Sequence, residues 1–326
     1  MVAKYFKVIV LLLVVVFLVV GCSPGGFFEE EETETDDFQE EAQPEEENLR
    51  ETTFYYLYQG AYLVPVERSI PWEEGIARAA VSRLASSQQV DSFLNGTGLN
   101  APLPAGTDII GLTIRDGLAL IDFNENFLEV QEGQERVVLD AVVYTLTEFG
   151  TVDQVEIQVE GKPLEEFPKG VIIEQPLDRE RGINLEVSDE VENLSNTSKV
   201  FVYFCGMGEE TVTYIVPVTR VIPETANLME AALEELIKGP RPGSQLFSEL
   251  DSRVEINSIQ VEDGLAVIDF SEEFLAFQGG ATSEENILRQ IALTLVQFPE
   301  INALSILVNG EEPQLTREMP IQIREE

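Results

Sequence analysis

Asp116-Gly-Leu-Ala-Leu-Ile-Asp-Phe123 returns further along the chain as Asp263-Gly-Leu-Ala-Val-Ile-Asp-Phe270, with seven of eight positions identical. Each copy opens on Asp-Gly, the dipeptide favoured in a type I′ hairpin turn because both central residues need positive φ. Each copy then alternates side chains as a strand does. The likeness spreads outward in order. Tyr62-Leu-Val-Pro-Val-Glu-Arg68 matches Tyr214-Ile-Val-Pro-Val-Thr-Arg220, Phe127-Leu128 matches Phe274-Leu275, Phe149 matches Phe298, and Gly161 matches Gly310. The offset drifts only between 147 and 152, as loops absorbing small insertions would make it. The chain is therefore two tandem copies of one domain, at 52–175 and 198–326, with polar residues 176–197 as a linker.

One copy reads as follows. Phe54–Tyr58 and Ala61–Val66 are strand-like. A helix starts at Pro71, with Trp72 as a packing residue or staple. Its apolar face is Ile76, Ala80, Val81 and Leu84, matched by Leu228, Ala232, Leu233 and Leu236. In the second copy Lys238-Gly239-Pro240 stops this helix; the first copy lacks the stop and should continue through Gln88-Gln89. The hairpin follows, Ile109–Arg115 and Leu118–Phe123. Then comes a helix carrying Val138, Leu139, Val142 and Leu146, matched by Ile287, Leu288, Ile291 and Leu295. Val155–Val159 is the next strand, and a short extended piece near Val171–Ile173 and Pro320–Ile323 closes each copy. The order ββαββαβ specifies an α+β fold, a mixed sheet with two helices on one face.

With Asp116-Gly117 as the turn, Ile110, Leu112, Ile114, Ala119, Ile121 and Phe123 share the face expected under the helices. Leu118 and Leu120 point the other way, as do Leu265 and Val267. If the helices cover only the first face, these four form an open apolar surface for a partner or for the other domain.

The N-terminus reads as an export signal. Lys4 and Lys7 precede an apolar run from Val8 to Val20 that ends at Gly21-Cys22. Thirteen residues make about 20 Å of helix, short of a bilayer core of about 30 Å. Leu18-Val-Val-Gly-Cys22 resembles the bacterial lipobox, in which the cysteine is lipidated and becomes the new N-terminus. Residues 1–21 are then the lipoprotein signal peptide, removed on export. The same residues also fit plain secretion with a free Cys22, or a short uncleaved anchor. Residues 22–51 are crowded with Glu and Asp and bury too little to fold, so they read as a disordered tether at the outer face of the cell membrane.

Composition narrows the chemistry. Sixty Asp+Glu against 20 Lys+Arg give a net charge of −40, which repels nucleic acid. The chain has no histidine, so a Ser-His-Asp triad, a Cys-His dyad and a His-based zinc site are excluded. No cofactor or metal motif is present. Asp116 and Asp263 sit in turns, and Asp122 and Asp269 end strands where an aspartate makes local hydrogen bonds. Cys205 lies in a predicted strand with acidic neighbours and reads as a passive thiol. Gly206-Met-Gly208 and Gly279-Gly280 lack the lysine and helix of a phosphate loop.

With these residues in place, the repeat resembles the GerMN domain of bacterial sporulation and germination lipoproteins. The likeness rests on Leu236-Ile-Lys-Gly-Pro240, on the Asp-Gly-x-Ala-x-Ile-Asp-Phe hairpin with its following Phe-Leu, on Phe298-Pro299, and on Val159–Gly161 with Val308–Gly310. It covers nearly all of 52–326. The first copy departs at the helix stop and has Phe149-Gly150 in place of Phe-Pro. The resemblance implies a non-enzymatic scaffold at the outer face of the cell membrane, in the complex joining mother cell and forespore and later in germination. It implies partners among other exported or membrane-anchored proteins or further copies of the chain, and a domain like the ring-building folds of that complex. Two other readings stay open. One is a module for a small ligand or cell-wall glycan, with Tyr55, Tyr56 and Tyr58 lining a cleft. The other is a hydrolase built on two carboxylates facing each other in a groove.

Overall fold

A computed structural model describes residues 49–209 and 212–324. The expected signal peptide, Cys22 and all but the last residues of the tether lie outside them. The described part is one compact unit.

The first repeat comprises β1 (Leu49–Tyr58), β2 (Tyr62–Pro71), α1 (Ile76–Ser82), α2 (Gln88–Leu94), β3 (Leu99–Asn100), β4 (Ile109–Arg115), β5 (Gly117–Phe123), α3 (Glu135–Leu146), β6 (Val152–Val159) and β7 (Lys162–Pro163). The short strand β8 (Glu186–Val187) follows. The second repeat comprises β9 (Thr197–Met207), β10 (Thr213–Pro223), α4 (Leu228–Lys238), β11 (Leu246–Phe247), β12 (Ile256–Glu262), β13 (Leu265–Phe270), α5 (Ala281–Leu295), β14 (Ala303–Val308) and β15 (Ile321–Gln322).

The α+β fold and its duplication are as the sequence indicates, with one difference in the sheets. The opening hairpin of each repeat does not extend the mixed sheet but forms its own, ordered β2-β1-β3 and β11-β9-β10-β8. The mixed sheets run β4-β5-β6-β7 and β12-β13-β14-β15, with β5 parallel to β6 and β13 parallel to β14. Helix α3 touches strands of both sheets of its repeat. That position explains why ten of its twelve residues are buried, including Asp140 and Thr145.

The repeated motif builds a clasp. Asp116 and Gly117 have φ of 51° and 81°, and Asp263 and Gly264 have 48° and 81°, as a type I′ turn requires. At the far end of β5, the Phe123 ring stacks on Phe127 at 4.3 Å, and Phe270 stacks on Phe274 at 4.9 Å. Beside each phenylalanine an aspartate reaches the next turn. Asp122 accepts from the Gly161 N–H at 3.0 Å, and Asp269 from the Gly310 N–H at 2.9 Å.

Several local expectations change. β2 runs on to Pro71 and α1 starts only at Ile76, so Trp72 lies between them and is 54% exposed. The first helix does not continue through Gln88: it ends at Ser82, and the Ser87 side chain caps a separate α2 by accepting from the Val90 N–H. A β-bulge after Ile109 shifts the register by one residue. Ile109 therefore enters the core while Ile110 is 51% exposed, out of the face expected for it. The closing piece of repeat one is not Val171–Ile173. Ile172 bridges Glu166, whereas Leu177 bridges Val155 as Ile321 pairs with Leu304. Both Leu177 and Ile321 follow a cis prolyl bond.

The segment expected to be a linker is folded against both repeats. Arg181 pairs with Asp140 of α3 at 2.6 Å, and β8 pairs in parallel with β10. Between them Asn184, at φ 51°, stands in for a peptide group where the edges of β2 and β10 meet. Its side-chain oxygen accepts from the Leu63 N–H at 2.7 Å, and its amide donates to the carbonyls of Leu63 and Pro217 at 2.8 and 2.7 Å. An Asn184→Ala change leaves these edge groups without partners. It should cost about 2–3 kcal/mol in urea denaturation. The wild-type chain should unfold in one calorimetric transition spanning both repeats, and two resolved transitions would contradict this account.

Candidate functional site

The residues singled out in the sequence divide by what they touch. Asp116 and Asp263 lie in turns, and Asp122 and Asp269 hold the turn glycines described above. These aspartates serve the backbone. Tyr55, Tyr56 and Tyr58 do not line an open cleft; all three are buried. The Tyr55 hydroxyl donates to Glu148 at 2.6 Å, and the ring meets Tyr144 edge-on at 5.3 Å. The Tyr58 ring packs on Tyr214 of the other repeat and its hydroxyl donates to the Met207 carbonyl. A Cβ on Gly206 would stand 3.0 Å from the Tyr58 ring, which accounts for a glycine there. Cys205 is a free, buried thiol whose pKa burial pushes up to about 12, so it stays protonated and unreactive.

Leu118, Leu120, Leu265 and Val267 are half-buried, on the sheet face opposite Ala119 and Ile121 or Ala266 and Ile268. The register frames Leu120 with Thr113 and Glu156, and Val267 with Gln260 and Ser305. The apolar surface is thus a narrow strip within polar rows in each repeat.

A cleft of about 740 Å³ lies between the repeats. Tyr62, Arg136 and Asp140 line it from one side, and Asn184, Glu186 and Arg241 from the other. Its charges are organised in pairs. Asp140, 3% exposed at its side chain, meets Arg136 at 3.2 Å and Arg181 at 2.6 Å. Burial pushes its pKa up to about 6, outweighing the pull of the two guanidinium groups. Glu186 accepts from Arg220 at 2.8 Å and from the Tyr62 hydroxyl at 3.0 Å. Arg220 also binds Glu235 at 2.9 Å, donates to the Gly239 carbonyl that ends α4, and stacks over Phe204. Asp189 meets Arg241 at 3.2 Å.

Each carboxylate lining this cleft therefore has a cationic partner. A two-carboxylate hydrolase sets two carboxyl groups facing each other across a groove, one to attack or deprotonate water and one to donate a proton; in this cleft the carboxylates face arginines instead. Among the described residues no group of three or more His, Cys, Asp or Glu side chains is placed to hold a metal ion, and no helix is long and apolar enough to cross a membrane. Sequence reasoning missed this junction. Its signal was the cluster Arg179-Glu-Arg181 in an acidic chain, which marks cations needed internally.

The structure thus defines a duplicated α+β domain whose signature residues tie turns and stack rings, with a wedged junction between the copies. The chain belongs to the Germane family, described as sporulation and spore germination, whose model matches residues 53–165 and 201–314. It is 30% identical over 262 residues to the spore germination protein GerM of Bacillus subtilis (strain 168), covering 79% of this chain and 71% of that one. The solved tandem GerMN domains of the sporulation protein GerM from Bacillus subtilis align at a TM-score of 0.72 and 29% identity, covering 84% of this chain and 96% of that one. The first GerMN domain of the same protein, solved alone, aligns over 40% of this chain and 98% of its own at 28% identity and a TM-score of 0.38.

Two outcomes test the junction. Replacing Arg220 with Met strands Glu186 and Glu235 in the interior and should cost about 3–5 kcal/mol in chemical denaturation. Asp140 has the opposite sign of pH dependence from an ordinary salt-bridged carboxylate. Because its folded pKa is raised to about 6, the native state keeps a proton that the unfolded chain has released. This contribution to stability is full below the unfolded value and is lost as pH rises through the folded one. Relative to Asp140→Asn, the wild type should lose about 3 kcal/mol between about pH 4 and pH 7. Urea melts at the two pH values measure it; a difference that grows in the wild type's favour would refute the assignment.

Proposed function

We propose that this protein is a lipid-anchored, extracytoplasmic and non-enzymatic component of sporulation and spore germination that acts through contacts with other exported or membrane-anchored proteins. The observation that carries the reading is the commitment of every carboxylate in the inter-repeat cleft to an ion pair. Family membership supplies the process, and the lipobox-like ending at Cys22 supplies the anchor. The acidic residues that follow Cys22 set a repelling, solvated spacer between membrane and repeats. The fixed junction favours presentation of surfaces at a set spacing. The strips at Leu118, Leu120, Leu265 and Val267 are candidate contact surfaces. They recur in both repeats and carry apolar area without filling the core.

The test has two parts. Cys22→Ser should abolish labelling by radioactive palmitate and release the protein from the membrane fraction, whereas continued membrane retention would argue for an uncleaved anchor. A Leu120→Lys, Val267→Lys double variant should keep the wild-type melting curve and lose at least tenfold of its crosslinking to partners in sporulating cells. Unchanged crosslinking would remove those strips from the interface.

A further inference from the structure

The two repeats differ at one equivalent place on the outer edge of the mixed sheet. β4 and β12 are both edge strands, and each has a bulge just after the isoleucine paired with the motif phenylalanine, Ile109 or Ile256. An edge strand presents unpaired backbone groups that can template another strand. Repeat one closes this place itself: the Arg78 guanidinium, from α1, donates to the Ile109 carbonyl. In repeat two the matching helix position is Glu230, two residues before Ala232 as Arg78 is before Ala80. Among the described residues its carboxylate accepts only from the Asn227 side chain, and no side chain donates to the Ile256 carbonyl. A groove of about 480 Å³ is left there. Leu228, Met229, Ile256, Ile259 and Phe298 give it apolar walls, and Glu230 and Glu300 make its rim acidic.

We propose that this groove receives an extended segment of a partner protein. The segment pairs with the outer edge of β12 and sets an arginine or lysine against Glu230 and the Ile256 carbonyl. The incoming cation supplies from outside what Arg78 supplies within repeat one. Backbone pairing gives affinity, and the apolar walls and acidic rim choose the side chains. A second copy of this chain is a poor occupant, since each copy carries a net charge of −40. The inference rests on the protein-contact reading above and deepens it by naming the chemistry of the partner.

The experiment uses the intact chain and two synthetic probes: an acetylated, amidated Thr-Val-Thr-Arg-Val-Thr-Val heptapeptide, and the same peptide with glutamate for arginine. Amide NMR titration should show the arginine peptide shifting β12 and the start of α4, with the glutamate peptide at least tenfold weaker. Affinity should fall as salt is added. Glu230→Arg, which rebuilds the closure of repeat one, should cut binding at least tenfold without lowering the melting temperature. Glu230→Gln should weaken it severalfold and serves if the first variant misfolds. Equal binding of both peptides, shifts on β4 instead of β12, full binding by the folded variants, or no binding at millimolar peptide would each overturn the proposal. Loss of peptide binding with crosslinking still dependent on Leu120 and Val267 would sink this groove alone. Peptide binding without any partner in cells would sink the wider reading instead.

Discussion

Two hairpin edges must meet without leaving their backbone groups unpaired, and the rest of this architecture follows from how that is done. β2 and β10 come together where neither continues the other's ladder. Leaving a buried N–H or C=O without a partner costs as much as losing a hydrogen bond outright. The Asn184 amide resolves this because it carries a donor and an acceptor in the same plane as a peptide group does. To deliver that side chain, the segment between the repeats has to run back along the seam. Arg179 and Arg181 hold it to repeat one, and Thr219 and β8 hold it to repeat two. What joins the repeats is therefore part of the packing between them.

The seam also takes up part of the chain's scarce positive charge. A chain with 60 acidic and 20 basic residues has few cations to place. Arg136, Arg179, Arg181, Arg220, Lys238 and Arg241 all lie at or beside the junction, each in an ion pair. Ion pairs on an exposed surface contribute little, as Asp189 with Arg241 must, whereas the pairs of Arg220 with Glu186 and Glu235 are buried, fix geometry and are costly to break. The acidic excess then covers the outside, where it keeps copies of the chain apart.

Much of the fold was legible in the sequence because it is local. An Asp-Gly turn needs positive φ at two adjacent residues, and the helix stop at Gly239 needs one more; both are chain-local demands that composition reveals. The apolar faces of α3 and α5 followed from periodicity, and all eight named positions are buried. What escaped was set by pairing across long separations. The bulge that turned Ile110 outward answers to Phe123 across the hairpin. The buried state of Tyr58 answers to Tyr214 and Gly206, far along the chain. Trp72 is left outside because β2 runs on to Pro71 and carries the chain past the core before α1 begins.

The candidate sites show the same division more sharply. The repeated aspartates read as structural in the sequence and are structural by position, since an acceptor beside a turn glycine is needed in both copies for the same reason. Recurrence alone marks what duplication must preserve, the core and its turns. Differences between copies mark what each repeat has been free to change. Arg68 is exposed over Phe93 in repeat one, while its counterpart Arg220 is the buried hub of repeat two. Arg78 and Glu230 reverse charge at one helix position, closing one edge and leaving the other open. In a duplicated protein, such divergent positions on an unchanged scaffold are the sound places to look for specificity. They alter recognition while the clasp and the stacked rings hold the fold constant.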